Sequence, residues 1–190
     1  DVEGPASGLC GSGLIDLLAV LLETGVVDET GRLLPPEEAP EEMAAFLGTD
    51  SNGNGIFYLT EDRRVYCTAG DVRKLQLAKA AVAAGIEILL ETARLSPSEV
   101  EALYIAGGFG GSLRPESAAA IGMIPRELQH RIVPLGNSAL AGAAQTVLEP
   151  KLRETLLEIQ KKCRYLELSG NPAFTDAFVE QMLFETEEDF

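Results

Sequence analysis

Leu14, Ile15, Leu17, Leu18, Leu21 and Leu22 recur at helical spacing and predict a helix from Ser12 to Glu23 with one wide apolar stripe. Gly11 and Ser12 start it, with Ser12 as candidate N-cap, and Gly25 stops it. Val26 to Leu34 fits a short hairpin around Glu29-Thr30-Gly31. Pro35 to Pro40 reads as a loop, and Glu41 to Leu47 as a short helix. The turn residues Ser51-Asn52-Gly53-Asn54-Gly55 lead into a strand, Ile56 to Thr60. Glu61 to Arg64 then turn the chain into a second strand, Val65 to Thr68. Asp71 is expected to cap a long helix, Val72 to Thr92, whose apolar positions include Leu75, Ala78, Ala81, Val82, Ile86 and Leu89.

Ser96 and Pro97 open a further helical turn. Leu103 to Ala106 is short, apolar and bounded by glycine, which predicts a buried parallel strand. A helix over Glu116–Ile121 and a strand over Arg131–Pro134 follow. The next helix, Ala139–Leu148, is rich in small residues and is expected to pack closely. An amphipathic helix over Lys151–Lys162, a late strand over Tyr165–Leu168 and a helix over Thr175–Met182 complete the chain. Hairpin, helix, strand, helix, strand, helix is a three-layer α/β order, in which ligands bind beyond the carboxyl ends of the strands. The chain reads as one domain, 1–190. Residues 1–50 are helix and loops, 51–150 the sheet and helices that face a ligand, and 151–190 a C-terminal extension.

Composition narrows the chemistry. The 190 residues carry a formal net charge of -15, with acidic runs at Glu37–Glu42 and at the C-terminus. Such a surface repels a phosphate backbone and argues against nucleic acid. No apolar run approaches a membrane span, and the first residues lack the pattern of a signal peptide. With no initiator Met, the sequence reads as cut from a longer one. Three scattered cysteines, Cys10, Cys67 and Cys163, fit a reducing, cytoplasmic setting. With no CxxC and a single histidine, His130, a metal site is not expected within this segment. His130 reads as an exposed helix-end residue, and Cys10 as a small packed one.

The remaining signal is glycine. Gly107, Gly108, Gly110 and Gly111 crowd the end of the Leu103–Ala106 strand around Phe109. Glycine there lets the backbone adopt positive φ and approach a ligand, and successive N–H groups can form an anion nest. A tight strand-to-helix turn explains the same pattern. Gly8-Leu9-Cys10-Gly11-Ser12-Gly13 and Gly136-Asn137-Ser138 also open helices, whose N-termini can face an anion. Three such starts suggest a shared cleft.

GLCGSGLIDLLAVLLETGVVD, DVRKLQLAKAAVAAGIEILL, LYIAGGFGGSLRPESAAAIG, IVPLGNSALAGA and YLELSGNPAFTDAFVEQMLF occur in this order. Together they resemble the C-terminal part of the reductive activators of corrinoid proteins. Those activators are ferredoxin-type ATPases of the acetate kinase, sugar kinase, heat-shock chaperone and actin superfamily. The resemblance implies a ribonuclease-H-like half of an actin-like ATPase fold, three-layered with a mixed sheet and incomplete in this segment. It implies ATP with magnesium as ligand, and a [2Fe-2S] cluster in an N-terminal domain outside the segment. The expected partner is a corrinoid protein or a corrinoid methyltransferase component, whose Co(II) is returned to Co(I) at the expense of ATP.

By the same resemblance Gly107 and Gly108, continuing into Phe109 and Gly110, form the adenosine motif. Gln76 and Lys79 occupy the helix positions that flank adenine and ribose in related chaperones. Gly11, Ser12 and Gly13 fall near the phosphates or ribose, and Gly142 and Ala143 in the hinge helix. Their spacing puts Gln76 and Lys79 on one helix face; taken alone, Lys79 reads as a surface lysine among alanines. No catalytic residue is expected in this segment. Asp16 and Asp71, near helix starts, read as caps or solvated acids. Two other readings compete: a nucleotide-independent docking or dimerisation module anchored by Phe174, Phe178, Met182 and Phe184, and an acetate- or sugar-kinase-like phosphotransferase.

Overall fold

Burial of the leucine stripe organises the first third of the chain. The computed structural model describes residues 4, 6–108 and 112–185. Helix α1, Gly11–Glu23, buries Ile15, Leu18 and Leu21. Its N-cap is Cys10 rather than Ser12: the thiol accepts the Gly13 N–H at 3.4 Å and lies 3.3 Å from the Ser12 hydroxyl. Gly25, with φ 67°, ends α1, and the expected hairpin turns at Gly31, with φ 81°, and closes through one antiparallel bridge, Val27 to Leu33.

The predicted helix over residues 41–47 is a single turn, α2, Glu41–Ala44. Leu47 instead begins a strand. β1 (Leu47–Thr49), β2 (Gly55–Tyr58) and β3 (Tyr66–Thr68) form one antiparallel sheet in that order. Leu47 sits opposite Phe57, and Phe57 opposite Cys67, all three buried. Burial of that cross-strand row overrides a weak local helix preference.

Helix α3, Ala69–Ala93, begins earlier than expected because Thr68 is its N-cap. Asp71 is the third residue of a reciprocal capping box. Its N–H donates to the Thr68 hydroxyl oxygen at 3.1 Å, and its carboxylate accepts from the Thr68 N–H at 3.2 Å. The buried face runs through Val72, Leu75, Gln76, Lys79, Ala80, Ala83, Ala84 and Ile88. Val82 and Leu89, expected in the apolar stripe, are 45% and 56% exposed.

β4 (Leu103–Ala106) and β5 (Ile132–Gly136) form a separate parallel pair, joined through α4, Pro115–Ala120. The antiparallel and parallel strands of the expected α/β fold thus lie in two sheets. β4 is not fully buried, since Tyr104 is 63% exposed. Helices α5 (Ser138–Leu148) and α6 (Leu152–Lys162) bury no residue, so the close packing expected of α5 is absent among the described residues. Residues 165–168 form no strand. Helix α7, Pro172–Glu180, lies along α3, and Phe184 beyond it is 2% exposed within the core formed by α1, α3 and α4. Among the described residues, no helix is long and apolar enough to cross a membrane.

Candidate functional site

Because β4 and β5 are parallel, their carboxyl ends emerge on the same side. The pairing shifts register after Ile105, which sets Ala106 opposite Gly136. The Gly107 N–H donates to the Gly136 carbonyl at 2.6 Å. Both glycines have positive φ, 102° at Gly107 and 61° at Gly136, and both need glycine for that reason. Among the described residues, a Cβ at Gly107, Gly108 or Gly136 would meet nothing within 4 Å. Side-chain crowding therefore does not explain these glycines. What they leave is bare backbone at the carboxyl edge of a parallel sheet. Asn137 follows Gly136 directly and caps α5, its side-chain oxygen accepting the Leu140 N–H at 3.1 Å. Its place beside Gly107 was not evident from sequence, although the Gly-Asn-Ser turn was.

Phe109 and Gly110 lie outside the described residues. Gly11, Ser12 and Gly13 form the first turn of α1, with Gly11 exposed and the other two half-buried. A Cβ at Gly13 would come within 3.0 Å of the Leu9 side chain and 3.4 Å of the Cys10 sulfur, so close approach within the cap accounts for that glycine. The Ser12 hydroxyl and the Gly13 N–H hold the exposed Cys10 thiol below its ordinary pKa. α1 packs on α4, the helix that follows the glycine turn. Among the described residues, one Asp16 carboxylate oxygen is buried without a partner, whereas Asp71 serves its capping box through one oxygen and meets Lys74 through the other at 3.1 Å.

Gln76 and Lys79 share one face, as their spacing requires, but that face is buried and each residue is 1% exposed. The Gln76 amide donates to the Thr30 carbonyl at 2.9 Å and to the Met182 carbonyl at 2.6 Å, and accepts from Arg73. The Lys79 ammonium donates to the Leu183 carbonyl at 2.7 Å and stands 5.0 Å from the centre of the Phe184 ring. Burial pushes its pKa down to about 8. Lys79 is thus not a surface lysine. The two side chains hold the C-terminal segment against α3, and a nucleotide contact from either requires that segment to leave. The signal was present in the sequence: Gln76 lies four positions from Val72, and Lys79 lies four from both Leu75 and Ala83.

Among the described residues, no three His, Cys, Asp or Glu side chains gather as a metal site. Burial raises the Cys67 thiol to about 11, so it stands protonated at neutral pH.

A family described as the C-terminal domain of RACo, the ASKHA domain, matches residues 2–190. The chain belongs to that family. The corrinoid activation enzyme RamQ of Eubacterium limosum is 28% identical over 184 residues, covering 93% of this chain and 31% of the relative. A Methanosarcina barkeri protein named [Co(II) methylated amine-specific corrinoid protein] reductase is 24% identical, covering 96% of this chain and 30% of the relative. A solved reductive activator for corrinoid, iron-sulfur protein superposes with a TM-score of 0.78 at 33% identity, over 92% of this chain and 28% of that one. The chain therefore spans less than a third of the length of these relatives, and its mixed α/β architecture is that of the ASKHA domain.

Proposed function

We propose that this ASKHA domain supplies one wall of an ATP site in a reductive activator that returns a Co(II) corrinoid protein to Co(I). One observation carries the reading: Gly107 and Gly136 meet at the carboxyl ends of two parallel strands, with open space where side chains would stand. Ligands of α/β sheets bind at such ends. The Gly107–Gly108 backbone lies against the adenosine there, and the N-terminus of α5 faces the nucleotide's negative charge. Gly11, Ser12 and Gly13 contribute from the start of α1. Gln76 and Lys79 join it only in a state in which residues 182–185 have moved. Magnesium is carried with the phosphates, and the [2Fe-2S] cluster belongs to a domain outside this segment.

The names of the relatives support a corrinoid protein as partner. Binding of ATP drives the partner's reduction only if it favours one arrangement of the complex over another. Anaerobic incubation of the full-length protein with the Co(II) form of its corrinoid protein, a low-potential reductant and ATP tests this. The expected result is loss of the Co(II) paramagnetic signal that requires ATP. A rate indifferent to ATP contradicts the reading.

A further inference from the structure

We propose that a second cleft, on the far half of α3, docks a basic amphipathic helix of a partner protein. The cleft encloses about 510 Å³ between α3, the 119–127 turn and the C-terminal segment. Its lining includes none of Gly107, Gly108 or Gly136. The floor is apolar: Ala83, Ala119 and Ile124 are buried and Leu90 is half-buried. The rim is acidic, with Glu87 and Glu91 on one side and Glu127 and Glu185 on the other, all exposed.

The rim chemistry selects the occupant. Glu87 and Glu91 lie one helical turn apart, where like charges repel and weaken a helix. The chain offers Glu87 a neutral partner, the Gln181 amide at 3.3 Å, rather than a cation. Arg126, the cation among the lining residues, lies 3.5 Å from Glu185 and so sits on the side away from Glu87 and Glu91. Four carboxylates around one opening repel a triphosphate, so this cleft does not suit the nucleotide. A bare metal ion needs converging ligands, and none gather here among the described residues. A lysine or arginine stem satisfies both parts of the site at once, lying along the apolar floor while its charge reaches the rim. Leucine-sized neighbours on the same helix face fill the remaining floor. Charge complementarity also speeds encounter, which suits a transient complex.

The partner's identity, a corrinoid protein, rests on the function proposed above; the chemistry of the cleft does not. The test uses the full-length protein and two variants of equal charge. One carries Glu87→Gln, Glu91→Gln and Glu127→Gln. The other carries Glu37→Gln, Glu41→Gln and Glu42→Gln, on an exposed loop and α2. Affinity for the corrinoid protein is measured by titration at about 50 and about 200 mM salt. The cleft variant is expected to bind about tenfold more weakly at low salt with a flattened salt dependence, and the control to stay within about twofold. Equal behaviour of the two variants overturns the inference and leaves the proposed function standing.

If the unaltered protein does not bind the corrinoid protein, the proposed function fails instead. The same variants then decide the cleft against a fluorescent helical peptide of leucine and lysine. Selective loss in the cleft variant upholds the proposal. Equal loss, or full displacement of the peptide by spermine at comparable concentration, overturns it in favour of surface charge or a small-cation site.

Discussion

Two glycines separate backbone demand from packing demand. Gly31 has φ 81°, and a Cβ there would fall 2.7 Å from the Gln76 amide nitrogen. That amide cannot swing aside without losing its bonds to Thr30 and Met182. Gly25 has φ 67° but open space around it. Gly31→Ala is therefore expected to lower unfolding stability by about 2–3 kcal/mol in urea, against about 1 kcal/mol for Gly25→Ala. Lys79 gives a pH signature. Its folded-state pKa, about 8, lies below its ordinary value of 10.5. Below the folded value both states are protonated and the burial penalty is fully felt. Above it the unfolded chain binds more protons, so stability climbs with pH until the ordinary value is reached. Urea midpoints should rise between about pH 8 and 10 in the unaltered protein relative to Lys79→Met, and a parallel trend in both contradicts the assignment. Sequence placed Gln76 and Lys79 on one face correctly. Their contacts with Met182 and Leu183 depend on a chain separation of more than a hundred residues, which no local pattern reveals.

At the scale of elements, α3 is the organising piece. Its capping box was half legible, since Asp71 stood out but the cap itself is Thr68. Thr68→Ala should cost about 1 kcal/mol, read as a shift in midpoint without a change in slope. The C-terminal segment closes over the same helix: Phe184 is buried, and its N–H donates to the Glu29 carbonyl at 2.8 Å. Replacing Gln76 by leucine leaves the Thr30 and Met182 carbonyls without that donor and is expected to destabilise by about 2 kcal/mol. Hydrogen exchange at residues 181–185 should accelerate in that variant well before α1 is affected. β1 escaped the sequence reading because three residues carry too little periodicity, and its pairing with β2 decides its state. The failed strand at residues 165–168 is the converse, a short apolar stretch that finds no strand to pair with among the described residues.

At the scale of the molecule, the β4–β5 sheet stands out by its exposure. Parallel strands are ordinarily covered on both faces, yet Tyr104, Val133 and Leu135 are 63%, 39% and 49% exposed. On α5, Leu140, Val147 and Leu148 are 65%, 76% and 84% exposed. Since this chain spans 31% of its corrinoid-activating relative, we expect further protein to cover this face. The 190-residue segment alone should bind a hydrophobic dye and self-associate with concentration, and full-length protein should do neither. The fold class was legible because glycine marks the ends of the parallel strands, whereas the exposure of the sheet was not, because a short apolar strand reads as buried from sequence alone. The central claim is that the bare backbone at Gly107 and Gly108 is a nucleotide wall. Gly108 lacks a positive φ and a Cβ there meets nothing within 4 Å among the described residues, so valine suits that backbone while filling the place of a ligand. Calorimetric titration of magnesium-ATP into the full-length protein and its Gly108→Val variant tests that claim most directly. The account predicts at least about a tenfold loss of affinity with an unchanged melting temperature; equal affinity in the two proteins would contradict it.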